Sequence, residues 1–303
     1  MAASDVALRL RIGARTVWTL RRRLVRRALT LEEALVGVPP ALPPLDAGDE
    51  GYFITALPAA LVTKVARSHP RLKAFVRQRY PRSYADLGQS FDCWLAGLSG
   101  KSRSTLKRKA RKLAERCGGA LDVRCYRTAE EMALFYAEAR AVSARSYQER
   151  LLAAGLPEGP EALAEMRKLA ARDRARGWLL FVDGRAISYL YAPAEGLTLL
   201  YAYVGYDPDF AELSPGTVLQ IEVMRELMAE GRFQLFDFTD GDGQHKRQFA
   251  TGSVDCVDLL LVRPTLANLA GGHLINGFDA AVALAKKALS ATGAAGLLKR
   301  VRR

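Results

Sequence analysis

No run of about 18 consecutive apolar residues occurs in this 303-residue chain, so the sequence offers no segment that would cross a bilayer. The basic N-terminus lacks the apolar stretch and small-residue cleavage site of a secretory signal, which sets a cytoplasmic expectation. Cysteine is scarce: Cys93, Cys117, Cys125 and Cys256 share no CxxC spacing, and with only three histidines they provide no zinc framework and are expected to be reduced thiols. No internal repeat or low-complexity tract is visible. With half its residues hydrophobic and a quarter charged, the chain has the balance of a globular protein rather than of a disordered tail.

Charge is plentiful, and it is localised. The formal net charge is +13, but residues 1–38 carry eight arginines against Asp5, Glu32 and Glu33. Residues 101–116 carry eight Lys or Arg against Glu115, and residues 286–303 carry six with no acid. These segments together exceed the net charge of the whole, so the remaining body is mildly acidic. A chain evenly coated for nucleic acid is thereby excluded. What remains is three local basic elements.

The pattern predicts an α/β fold. Residues 14–29 interleave Val17, Trp18, Leu20, Leu24 and Val25 with arginines, the pattern of a basic amphipathic helix, stopped by the proline-rich stretch Pro39 to Pro44. A small N-terminal α/β unit follows over 51–90, with a strand at 51–57, a helix at 58–68 and a strand at 72–80. Ser102 or Ser104 can cap a helix running to Arg116, with Leu106, Ala110, Leu113 and Ala114 as its apolar stripe. A strand at 121–126, a long helical region 129–152 and a helix 161–176 come next. Strands 178–182, 186–192 and 197–204 are joined by Asp183-Gly184 and Glu195-Gly196, turns that favour antiparallel hairpins. The order then becomes helix 215–230, strand 233–238, glycine-rich loop and strand 255–262, before a basic helical C-terminal tail over 266–303. A meander passing into a strand-helix-strand crossover implies a mixed sheet, whose ligands gather at the carboxyl ends of its strands. Attention falls on 204–217 and 237–249.

In LYAYVGYDPDFAELSPGTVLQ a strand runs into Gly205-Tyr206-Asp207-Pro208 and a helix starts with Ser214 as N-cap and Pro215 at N1. Gly216 has no Cβ to hold a phosphate off the backbone. The N–H groups of Gly216, Thr217 and Val218, with the positive end of the helix dipole, favour an anion. The same residues also describe an ordinary well-capped helix. The loop beyond strand 233–238 gathers Asp237, Asp240, Asp242 and His245, with Gly241 and Gly243 allowing a tight turn.

These pieces, in order with the helix LSGKSRSTLKRKARKLAERCG upstream, resemble the GNAT-superfamily branch that includes CelD-type polysaccharide-associated acyltransferases and Fem-type aminoacyl transferases. The resemblance covers residues 91–265. It rests on the Ser/Lys/Arg-rich helix Lys101 to Lys112, the strand end Tyr206 to Pro208, Ser214 to Gly216, Asp237-Phe238 and His245 to Arg247. It departs from the usual pyrophosphate signature of that superfamily in having only Ser-Pro-Gly. The resemblance implies a GNAT-like mixed sheet flanked by helices, with strands 197–204 and 233–238 splaying around an acyl-CoA whose diphosphate rests on Ser214, Pro215, Gly216, Thr217, Val218 and Leu219. The acyl group would be acetyl or longer. Acyl transfer then needs a base, donors for the developing oxyanion and an acid for the departing thiolate. Asp240 or His245 is expected as the base and Tyr206 as the acid. Asp237, Lys246, Arg247 and Arg103 are expected near the acceptor or a phosphate, and Tyr147, Gln148 and Arg150 at an acceptor pocket. A metal held by Asp240, Asp242 and His245 matches no standard spacing, and a metal-free site is the expectation.

The resulting expectation is an acyl-CoA-dependent N- or O-acyltransferase acting on a small-molecule or envelope-precursor acceptor, with no DNA partner. Two alternatives stand beside it: a transferase fed by aminoacyl-tRNA, and a non-catalytic nucleic-acid-binding protein on a GNAT-like scaffold. The two basic ends suggest reversible attachment to the anionic inner face of a membrane.

Overall fold

The computed structural model describes residues 3–12, 15–146, 155–241 and 243–291, and the chain divides into two compact units, residues 1–80 with 254–303 and residues 81–253. In the first unit, β1 (Ser4–Ile12) and β2 (Arg15–Ala28) form an antiparallel ribbon, with Leu8 opposite Leu20 and Leu10 opposite Trp18. The predicted amphipathic helix over 14–29 is therefore a strand. The physical reason is that its second half is an internal strand: residues 24–28 also pair in parallel with β3 (Gly51–Pro58), so neighbouring residues bury on opposite faces. Leu24 packs with Val6, Leu8, Leu10 and Ile275, whereas Val25 packs with Tyr52, Ile54 and Leu57. Consecutive apolar residues that suggested one helical stripe are thus two faces of one sheet.

Between β2 and β3 lies helix α1 (Leu31–Val36), opened by a capping box in which Thr30 accepts from the Glu33 N–H and Glu33 accepts from the Thr30 N–H. A 3-10 turn at Ala59–Leu61 and α2 (Val62–Ser68) lead to β4 (Lys73–Asp86), six residues longer than expected at its C-terminal end.

The second unit contains α3 (Phe91–Gly97) and α4 (Gly100–Arg116). Ser99, rather than Ser102 or Ser104, caps α4 by accepting from the Ser102 N–H. Strand β5 (Asp122–Tyr126), α5 (Glu131–Arg145) and α6 (Pro160–Ala170) follow. The predicted helix 161–176 stops at Ala170, because Asp173 turns the chain in a left-handed conformation. Arg176 then lies in β6 (Ala175–Val182), all eight of whose residues are buried. Along β6, Trp178, Leu180 and Val182 enter one core with Leu106, Leu113 and Val218, while Leu179 and Phe181 enter another with Phe135, Val142 and Met166. Alternation with period two thus feeds two helical layers from one strand.

Asp183 and Gly184, both at positive φ, turn β6 into β7 (Arg185–Glu195) as the expected hairpin. The single strand expected at 197–204 is two: β8 (Thr198–Leu200) and β9 (Tyr203–Tyr206), both antiparallel to β7. A 3-10 turn at Pro208–Leu213 precedes α7 (Pro215–Glu230), and β10 (Leu235–Asp237) runs parallel to β8 and antiparallel to the end of β4. Residues expected as loop at 244–249 form the short helix α8 (Gln244–Phe249). Its Phe249 is buried, stacked on Trp94, whose indole N–H donates to the Phe249 carbonyl. The chain returns to the first unit through β11 (Gly252–Val262), antiparallel to β3, and α9 (Leu266–Ala291). The second unit is a mixed sheet with helices on both faces. No helix among the described residues is long and apolar enough to cross a membrane.

Candidate functional site

The site grows from a parting of strands. Residues 235–237 of β10 pair with 198–200 of β8, and one further bond, from the Tyr201 N–H to the Asp237 carbonyl, closes the parallel ladder. Beyond it β9 stays with β7, from Tyr203 opposite Tyr191 to Tyr206 opposite Ser188. Phe238 instead donates its N–H to Ser83, following β4. The two strands therefore splay after Leu200 and Asp237. Tyr201 sits at the fork, buried against Phe236 and Phe238, and burial raises its hydroxyl pKa above the ordinary tyrosine range.

Asp207 fixes the end of β9. Its N–H reaches the Ile187 carbonyl, and its buried carboxylate accepts from Arg145 at 2.9 Å, from Arg185 and from the Asp209 N–H. The 3-10 turn then delivers Ser214, which lies in the left-handed region at φ 53° and makes no side-chain cap. The expected serine side-chain cap is therefore absent, and the Ser214 carbonyl accepts the first helical bonds, from the N–H groups of Thr217 at 3.0 Å and Val218 at 3.2 Å. Of the three N–H groups expected to be free, only that of Gly216 has no partner among the described residues. A Cβ at Gly216 would meet nothing nearer than the Tyr206 ring at 3.6 Å, an ordinary contact, so neither backbone nor packing demands glycine there. Tyr206 thus lies against Gly216 at the start of the segment Ser214 to Leu219. Val218 and Leu219 face the core.

The basic helix α4 runs beside this helix start. Lys109 donates to the Thr217 hydroxyl at 3.3 Å and Lys112 to the Glu212 carbonyl at 3.2 Å. Burial lowers the Lys109 pKa, and neighbouring Arg108 lowers it further. Another stripe of α4 lines an open groove of about 510 Å³ formed by Gly100, Arg103, Ser104, Lys107, Arg108 and Arg111. Arg103 also closes the end of α3, donating to the carbonyls of Ala96 and Leu98.

At the second strand end, Asp237 is fully buried. One carboxylate oxygen accepts from Arg82 Nη2 at 2.6 Å and Nε at 3.0 Å, and the other accepts from the Thr239 N–H at 2.8 Å. Its carboxylate is committed inward and anchors the loop. Asp240 is exposed, and its carbonyl accepts from Lys246 Nζ at 2.6 Å. Burial lowers the Lys246 pKa against the opposing pull of Asp240 and Asp237. Arg247 is exposed on α8. The His245 side chain, and Asp242, Tyr147, Gln148 and Arg150 entirely, lie outside the described residues. Among the described residues no group of three or more His, Cys, Asp or Glu could hold a metal ion.

Sequence reasoning missed Arg82, which stands 155 positions before Asp237, and Lys109, whose signal was its place beside the apolar stripe Leu106, Ala110 and Leu113.

Residues 100–247 match the family described as acetyltransferase (GNAT) domain. In structure the chain is similar to FemX at 11% identity, covering 86% of this chain and 88% of that one with a TM-score of 0.54. It is also similar to a C-terminal domain assigned to a lysylphosphatidylglycerol synthetase of Agrobacterium fabrum, at 13% identity, 77% and 73% coverage and a TM-score of 0.51. At such identities the likeness is one of fold. No curated protein matches the chain. The splayed strands and the start of α7 lie within the residues that match that family.

Proposed function

We propose that the protein transfers an acyl group from an acyl-CoA, acetyl or longer, to an amine or hydroxyl of a small-molecule or envelope-related acceptor, as a member of the CelD-type branch. The observation that carries this reading is the fork between β9 and β10 beside Gly216. A pantetheine arm fits between the parted strands, and its diphosphate rests on the start of α7 with Ser214, Pro215, Gly216, Thr217, Val218 and Leu219 around it. The acceptor attacks the thioester carbonyl, the C–S bond breaks and the thiolate takes a proton. Tyr206, at the end of β9 against Gly216, is the proton source. Asp240 or His245, the latter on α8, receives the acceptor's proton, and Lys246 and Arg247 face the acceptor.

A second reading is favoured by one observation, the groove along α4 lined by Arg103, Lys107, Arg108 and Arg111. A donor carried on tRNA would lay phosphates there. Native mass spectrometry of the protein as purified separates the two. Retention of CoA or acyl-CoA is expected, and retention of tRNA with no affinity for CoA would transfer the donor assignment to the second reading.

A further inference from the structure

The start of α7 carries positive charge that the described chain does not neutralise. Its first turn contains no acid, and the helix dipole places partial positive charge there. Lys109 lies against Thr217 in that same turn, half-buried, with Arg108 rather than a carboxylate as its electrostatic neighbour. Its ammonium is held where its charge is disfavoured.

An independent observation points to the same place. Gln220, 2% exposed, has a side-chain amide nitrogen with no hydrogen-bond partner among the described residues. Buried amides without partners are rare because they forfeit hydration for nothing. Four residues along an α-helix advance about 6 Å and about 40°, so Gln220 lies below Gly216 and between the directions of Gly216 and Thr217. Long helical side chains lean back toward the N-terminus, over the preceding turn. Here the preceding turn offers Gly216, which has no side chain, and that general lean carries the Gln220 amide toward the helix start.

We propose that Gln220 and Lys109 are donor-binding residues. Gln220 Nε2 donates to an oxygen of an anionic, diphosphate-bearing ligand beside Gly216, and Lys109 supplies the counter-charge on the Thr217 side. This deepens the acyl-CoA reading and rests on its placement of the diphosphate on α7. Both side chains are liabilities to the empty fold and assets to the complex. That combination marks a binding site rather than a structural one.

The test is calorimetric titration of CoA and, separately, inorganic pyrophosphate into the wild type, Gln220→Leu, Lys109→Met and Gly216→Asp, with a melting temperature for each. Gln220→Leu and Lys109→Met are expected to keep or raise the melting temperature, because each removes a poorly solvated polar group, yet to weaken CoA about tenfold each. If either binds CoA as tightly as wild type while Gly216→Asp does not, the inference fails for that residue and the acyl-CoA reading stands. If Gln220→Leu melts well below wild type, the amide has a structural role and its assignment falls, leaving Lys109→Met to test the rest. If wild type ignores CoA but binds pyrophosphate in a manner that needs Lys109 and Gln220, the anion cradle stands and the acyl-CoA reading falls. Binding of neither probe overturns both.

Discussion

Helices α1 and α7 begin in opposite ways. The first has a threonine cap, a reciprocal glutamate and two acids in its first turn, so the Thr30 and Glu33 N–H groups have side-chain partners and the dipole has negative charge beside it. The second has a serine in the cap position that does not cap, a left-handed residue, no acid, and a lysine facing it. On the proposed reading, the start that lacks acid and a side-chain cap is the one that takes the anion. Asp237 and Lys109 repeat the contrast at the level of single charges. The buried acid has its arginine, while among the described residues the half-buried lysine has a hydroxyl and no carboxylate.

The largest effect should come from breaking the charge that has its partner inside. Arg82→Met strands the Asp237 carboxylate in the core and should cost about 3–5 kcal/mol, read by denaturant unfolding. Lys109→Met should cost nothing. Equal losses in the two variants would mean that Lys109 is a structural charge.

Catalysis comes next. Asp240→Asn and His245→Gln should each lower turnover about a hundredfold while CoA affinity changes little, once an acceptor is in hand. Wild-type turnover in both would move proton transfer off the loop. For the helix starts themselves, Thr30→Ala should lose about 1 kcal/mol of stability, whereas Ser214→Ala should lose almost none, because its hydroxyl caps nothing. The smallest effect concerns the basic N-terminus. Co-sedimentation with anionic vesicles should fall with added salt and weaken when Val17 and Trp18, both exposed on β2, are replaced by serine. Equal sedimentation with neutral vesicles would remove the electrostatic part of that expectation.

Much of this was legible before the fold. Pro215 fixed the helix start, Asp183-Gly184 the hairpin, and the meander followed by a crossover fixed the mixed sheet. Residues 14–29 misled because the internal second half of the strand buries Leu24 and Val25 side by side on opposite faces, which a helical reading accepts equally well. The division of 197–204 into β8 and β9 has no local signal, since it arises where one strand changes neighbours at Tyr201. Arg82 was hidden by its separation from Asp237 along the chain. Lys109 and Gln220 were hidden for a different reason. Their meaning lies in the partners they lack, and a sequence does not display missing partners.

On the proposed reading the start of α7 receives the donor's diphosphate. Gly216→Asp tests it most directly, because the added Cβ meets only the Tyr206 ring at 3.6 Å and should leave the domain folded. Bulk and negative charge would then stand where the phosphate sits. Calorimetry should show CoA binding to the wild type and its loss, by about a hundredfold or more, in a variant of unchanged melting temperature. A folded Gly216→Asp protein that binds CoA as the wild type does would remove the diphosphate from the start of α7.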